Sequence, residues 1–175
     1  EQWNGLIAGL AALTMLFGNL VALAQTNVKR MLAYSSVGQV GFLLMGVAAL
    51  STLSSNGLMV HLVGYSVTNL SVFFAITAFY NATGKQEISD FAGLADRSPF
   101  LAAAITISLF SLAGLPFLAG FVTKFYLFSA AAAEDLLWLA GVAMVASLIS
   151  LYYYLKVIRE MYINPAVDGE GSTIQ

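Results

Sequence analysis

Few residues of this chain could do chemistry, and the most telling is a lysine. Lys124 lies within AGLPFLAGFVTKFYLF (residues 113–128), eight residues after Pro116 and ten before the next acidic residue, Glu134. An amine can bind and release a proton, and apolar surroundings disfavour its charged form. At the centre of a bilayer a lysine costs about 2.5–3.5 kcal/mol on insertion scales. Two readings explain why it is kept. In one, the stem snorkels along apolar surface to carry the ammonium to an interface. Ten helical residues are roughly 15 Å, so the stem does not reach the loop at Glu134 easily. In the other, Lys124 is a proton-relay lysine, with Thr123 and Tyr126 as potential neighbours.

A second set is His61, Tyr65, Thr68 and Asn69, spaced to share one face of a helix. A lone histidine is commonly a satisfied packing residue. Heading a polar stripe inside a membrane, it can equally join a chain of side chains and water that carries protons. Ser35, Ser36, Gly38, Gln39 and Gly41 crowd together in an apolar segment, which suits close helix packing by small residues. Tyr34 fits packing or a wet path equally. Lys29 and Arg30 serve most simply as topology anchors, with proton loading as the alternative. Gly18 and Asn19 read as a packing notch.

The elements that must position these groups follow from composition. Hydrophobic residues are 59% of the chain and charged residues 9%, against ~25% charged in soluble proteins, which makes this an integral membrane protein. With no cysteine and a single histidine, the chain cannot ligate an iron–sulfur cluster or a bis-histidine haem. No Gly-rich phosphate loop follows a strand, and no charged block suggests a nucleic-acid partner. Redox chemistry must therefore belong to other chains. The start at Glu1 in place of Met suggests a piece of a longer protein.

Stretches of ~20 apolar residues cross a bilayer as helices. Spans are expected at about 5–24, 31–50, 58–80, 99–132 and 136–158, with a polar loop or tail at 163–175. Lys29 and Arg30, Lys85 and Arg97, and Lys156 and Arg159 fall on alternate connections, whereas the fourth connection carries only Glu134 and Asp135. The positive-inside rule then puts the N-terminus outside and the C-terminal tail in the cytoplasm. The fourth span is too long for one straight crossing. Pro116, flanked by Gly114 and Gly120, removes an amide donor and clashes with the preceding turn. Two half-helices broken near 114–120 are expected, a feature that marks ion and substrate sites in transporters. The lysine would sit in the first turns of the second half, near that helix's N-terminus.

GNLVALAQTNVKRMLAYSSVGQVGFLLMG (18–46), SLAGLPFLAGFVTKFYLFSAA (111–131) and LYYYLKVI (151–158) resemble the antiporter-like membrane subunits of complex I, the proton-pumping NADH:quinone oxidoreductase. The likeness covers about Trp3 to Tyr162 and is greatest to subunit N, the type that includes mitochondrial subunit 2 and its chloroplast counterpart. Mrp-type cation/proton antiporters share the fold. The resemblance implies an all-α transmembrane bundle of five spans, one discontinuous, forming the second of two inverted repeats. It places Lys124 on the broken-helix lysine of a proton half-channel, Lys29 and Tyr34 on the KRxLAYSS motif, and Pro116 on the helix-break proline. The family usually reads Pro-Pro where this chain has Pro116-Phe117. The L- and M-type pattern H-x-x-x-H-A-x-x-K is replaced by His61, Tyr65 and Asn69, which favours subunit N and weakens His61 as a family relay residue.

The implied function is proton translocation as part of an NADH:quinone oxidoreductase, with other membrane-arm subunits, the lipid bilayer, protons and water as partners. NADH, FMN, iron–sulfur clusters and quinone would belong to other subunits, with no cofactor or metal in this chain. The implied location is a bacterial inner membrane, or an organellar inner or thylakoid membrane. A stand-alone Mrp-type antiporter subunit is the alternative, and a structural subunit with an idle lysine a third class.

Overall fold

The computed structural model describes residues 2–165, which form helices throughout. They are α1 (Gln2–Leu23), α2 (Val28–Ala49), α3 (Thr52–Thr83), a 3-10 turn (Ile88–Phe91), the one-turn α4 (Leu94–Arg97), α5 (Pro99–Ala113), α6 (Ala119–Ala133) and α7 (Leu137–Tyr162). By length and composition α1, α2, α3 and α7 can each cross a membrane. α5 and α6 have 15 residues each, about 22 Å of helix, and neither alone spans a core of ~30 Å. In tandem they make a fifth, discontinuous crossing. Residues 166–175 of the expected tail lie outside the described residues.

Local chemistry sets the ends of these helices. Asn27 caps α2, its side chain accepting from the Arg30 N–H at 3.1 Å. Pro99 opens α5, where its missing N–H costs nothing. The helix that carries the third expected span begins at Thr52, ahead of the span start expected near residue 58. Ser51 and Ser54 form a reciprocal capping box, so most of the polar STLSSNG segment is the first turns of α3, not a loop. The turn before it narrows to Leu50, at φ 43°, and Ser51. At 32 residues, α3 is about 48 Å long and must tilt or protrude. Between α3 and α5 the chain pairs with the α1–α2 loop. Val28 N–H donates to Gln86 O at 3.0 Å and Ile88 N–H to Thr26 O at 2.8 Å.

α1 and α2 pack with almost no space between backbones. A methyl group added at Gly18 would strike the Gly38 amide, and one at Gly41 would strike Met15. Small residues allow such approach inside a membrane, where van der Waals packing must hold helices together.

The interior is layered. One apolar cluster gathers Met31, Leu32, Phe79, Phe91, Tyr154 and Met161. The other gathers Met15, Phe42, Met45, Leu127, Leu139 and Ala143. Along α2 the buried Ser35 and Gln39 fall between the two, along α1 Asn19, and along α7 Ser147 and Ser150. The fold therefore holds a polar layer between two apolar ones, and Lys124 lies in that layer.

Candidate functional site

The site begins with the helix break. α5 stops at Gly114, whose φ of 86° is left-handed and suits glycine. Its N–H bonds back to Phe110 O and Ser111 O. The last carbonyls of a helix have no partner within it, which leaves Leu112 O and Ala113 O to be satisfied from elsewhere. Phe117 adopts φ 73° and is fully exposed. Proline cannot take that φ, so the break here is made with one proline. α6 restarts at Ala119, and Gly120 passes so close to α5 that a methyl group there would overlap Ser111 O.

Lys124 closes the arrangement. Five residues into α6, it is 4% exposed. Its Nζ donates to Leu112 O at 3.0 Å, Ala113 O at 3.2 Å and the Ser147 hydroxyl of α7 at 3.4 Å. It also lies 4.8 Å from the centroid of the Phe42 ring, a cation–π distance. The lysine therefore does not snorkel. Its electrostatic environment also differs from that expected. The ammonium reaches back across the break to the carbonyl end of α5, the negative end of that helix dipole. Among the described residues no carboxylate is its partner.

α3 supplies the facing wall. His61 is 2% exposed, its Nδ1 lies 3.0 Å from the Thr123 hydroxyl, and its Nε2 has no partner among the described residues. Its ring stacks on Tyr65 with centroids 6.2 Å apart. The Thr68 hydroxyl lies 3.3 Å from that of Ser111, which accepts from the Gly120 N–H at 3.3 Å. Gln39, His61, Tyr65, Thr68, Ser111 and Lys124 surround a cavity of about 10 Å³, roughly the space of one water.

Three expected site residues stand elsewhere. Asn69 is half-buried and outside the cavity. At about 100° per residue, position 68 returns to within ~20° of His61, whereas 69 is ~80° away, so Thr68 takes its place. Lys29 lies 3.6 Å from the centroid of the Tyr80 ring. It is ten residues, about 15 Å, along α2 from Gln39. Tyr34 is half-buried against the apolar cluster around Met31 and does not line the cavity. Tyr126 is 42% exposed and also turns away.

Other participants carried no distinguishing signal in the sequence. Gln39 donates to Leu112 O at 3.4 Å, although its segment reads as packing. Ser111, on α5, lines the cavity with Lys124, and Ser147, on α7, accepts from its Nζ; in the sequence both are ordinary hydroxyls in apolar helices. Tyr153 and Tyr154, both buried, bond Asn19 Oδ1 (2.8 Å) and the Ser35 hydroxyl respectively. They tie α7 to α1 and α2.

An amine, an imidazole with one free nitrogen, a phenol and several hydroxyls around one water-sized space can exchange protons. Among the described residues no cluster of histidine and carboxylates could hold a metal ion.

The family profile described as NADH:quinone oxidoreductase/Mrp antiporter, TM, matches residues 1–150. The chain belongs to this NADH:quinone oxidoreductase/Mrp antiporter transmembrane family. It is 48% identical over 167 residues to NADH-quinone oxidoreductase subunit N of Moorella thermoacetica, covering 95% of this chain and 35% of that protein. It is 43% identical over 172 residues to NAD(P)H-quinone oxidoreductase subunit 2 of Gloeothece citriformis, covering 98% and 34%. Among solved structures it superposes on a chain of the Mrp complex from Dietzia sp. DQ12-45-1b with a TM-score of 0.92, at 29% identity over 98% of this chain and 32% of that one. For respiratory complex I from Thermus thermophilus with bound NADH, the TM-score is 0.89 at 31% identity, over 96% of this chain and 36% of that one. The likeness to antiporter-like subunits of complex I, and to subunit N in particular, is borne out. The chain spans about a third of the length of these members of the family.

Proposed function

We propose that this chain is a proton-translocating module of the membrane arm of an NADH:quinone oxidoreductase, with Lys124 as its central relay. The observation that carries this reading is the seat of Lys124. The ammonium is buried, held by the carbonyls of a broken helix and, among the described residues, without a carboxylate partner. A carboxylate would hold the proton in place, whereas neutral acceptors position the amine and leave it able to exchange. The water-sized cavity towards His61 and Tyr65 supplies the exchange partner. Lys29, Tyr34 and Asn69 would act, if at all, outside that cavity.

Electron transfer would take place in other chains, driving the relay through conformational or electrostatic coupling. The charge alternation supports cytoplasmic ends for α2, α5 and α7 at Val28, Pro99 and Tyr162, in a bacterial inner membrane. The acidic turn at Glu134 and Asp135 would lie outside.

The test is Lys124→Ala in the full-length protein within its assembled complex. Inverted membrane vesicles should assemble the complex normally and lose most NADH-driven proton uptake. Undiminished uptake in verified complex would sink the relay. The close superposition on an Mrp complex chain favours one alternative, a cation/proton antiporter subunit. That reading predicts sodium- or potassium-driven proton exchange in vesicles without NADH.

A further inference from the structure

Gln39 and Lys124 sit on one oxygen. The Gln39 amide donates to Leu112 O at 3.4 Å, and Lys124 Nζ donates to the same atom at 3.0 Å. Gln39 is 3% exposed on α2 and lines the cavity shared by Lys124 and His61. Among the described residues the hydrogen bond of its side chain is made by the amide nitrogen. An amide of this shape differs from a glutamate in one respect that matters here, the absence of charge.

We infer that Gln39 is a positioning residue for Lys124, a neutral stand-in at the place where a carboxylate would pair with the ammonium. Its NH2 group holds the carbonyl at the open end of α5, fixing the acceptor on which the lysine rests. Its oxygen offers lone pairs without a counter-charge. The lysine is thereby held in place while its proton stays free to leave. This rests on the reading of Lys124 as a proton relay. It replaces the packing role that the small-residue surroundings of Gln39 suggest.

The experiment compares Gln39→Glu, Gln39→Met and Lys124→Ala in the full-length protein within its complex, measuring NADH-driven proton uptake by inverted vesicles from pH 6 to 9. Gln39→Glu keeps the shape of the side chain but introduces a carboxylate that pairs with Lys124. Uptake should fall roughly tenfold or more at neutral pH, as an opposite charge this near holds the proton. The pair keeps both groups charged at low and neutral pH, so uptake should recover towards wild type only as the pH rises towards 9 and the held proton can leave. Gln39→Met keeps the volume but lets go of Leu112 O. It should lower uptake about threefold or more without that recovery. A packing role predicts no alkaline recovery in Gln39→Glu. Wild-type uptake by Gln39→Glu, or an equal loss in both variants at every pH, overturns the inference. If Gln39→Glu does not assemble, Gln39→Met decides, and full uptake by assembled Gln39→Met overturns it. If Lys124→Ala pumps like wild type, the relay reading itself fails. If Lys124→Ala abolishes uptake while both Gln39 variants pump normally, only the role of Gln39 fails.

Discussion

Lys124 Nζ donates to the carbonyl of Leu112 across the helix break, 3.0 Å away. The two residues belong to different half-helices, so the bond joins the side chain of one to the open carbonyl end of the other. The break and the buried charge therefore support each other. The break exposes carbonyls that need donors, and the lysine needs acceptors that do not neutralise it.

Lys124→Arg tests whether charge or proton release matters. Arginine keeps the charge and does not deprotonate in proteins. The complex should assemble while NADH-driven proton uptake falls at least tenfold, much as in Lys124→Ala. Dye-quenching assays in inverted vesicles check it, and normal pumping by the arginine form would favour a purely structural lysine.

Gly114→Ala tests the seat of the amine. The left-handed φ of 86° costs a non-glycine residue about 1–2 kcal/mol. The new methyl would also lie 3.1 Å from Lys124 Cδ, crowding the stem. Thermal unfolding of the purified full-length protein should show the destabilisation, and proton uptake should fall together with it.

Gly120→Ala is expected to be harsher, because the obstruction is backbone. The methyl would overlap Ser111 O, and neither half-helix can shift without moving Lys124. A loss of about 3 kcal/mol is expected from overpacking. Near-normal expression and melting temperature would contradict the observed approach of α6 to α5.

On α3 the predicted order of effects is specific. Thr123→Val removes the partner of His61 Nδ1 and Thr68→Val the hydroxyl beside Ser111. Each should slow proton uptake several-fold in assembled complex. Asn69→Ala should stay within about twofold of wild type. The reverse order would mean that the face of α3 turned to Lys124 has been misread.

Tyr154→Phe keeps the ring and deletes the hydroxyl bonded to Ser35. Leaving a buried polar partner unpaired costs about 1–3 kcal/mol. Chemical denaturation in detergent should report that loss. An unchanged midpoint would show that this contact does not hold α7 to α2.

The sequence by itself determined the membrane class, because no soluble fold accommodates so little charge over such apolar runs. It also determined the break, because Pro116 between Gly114 and Gly120 cannot continue a helix, and it singled out Lys124, a charge with no local partner. These are properties of a segment and its solvent. The residues that Lys124 touches were decided by the tertiary structure alone. Leu112 and Ala113 act through backbone carbonyls, which side-chain identity does not reveal. Ser147 and Gln39 reach the site from α7 and α2, across separations of 23 and 73 residues from their partners. The choice of Thr68 over Asn69 depended on the rotation of α3 against α6, which the polar stripe left open by about 100°. Whether the lysine lay near the positive start of α6 or the negative end of α5 depended on the direction of its stem. Four flexible bonds set that direction, and only the packed neighbours fix it.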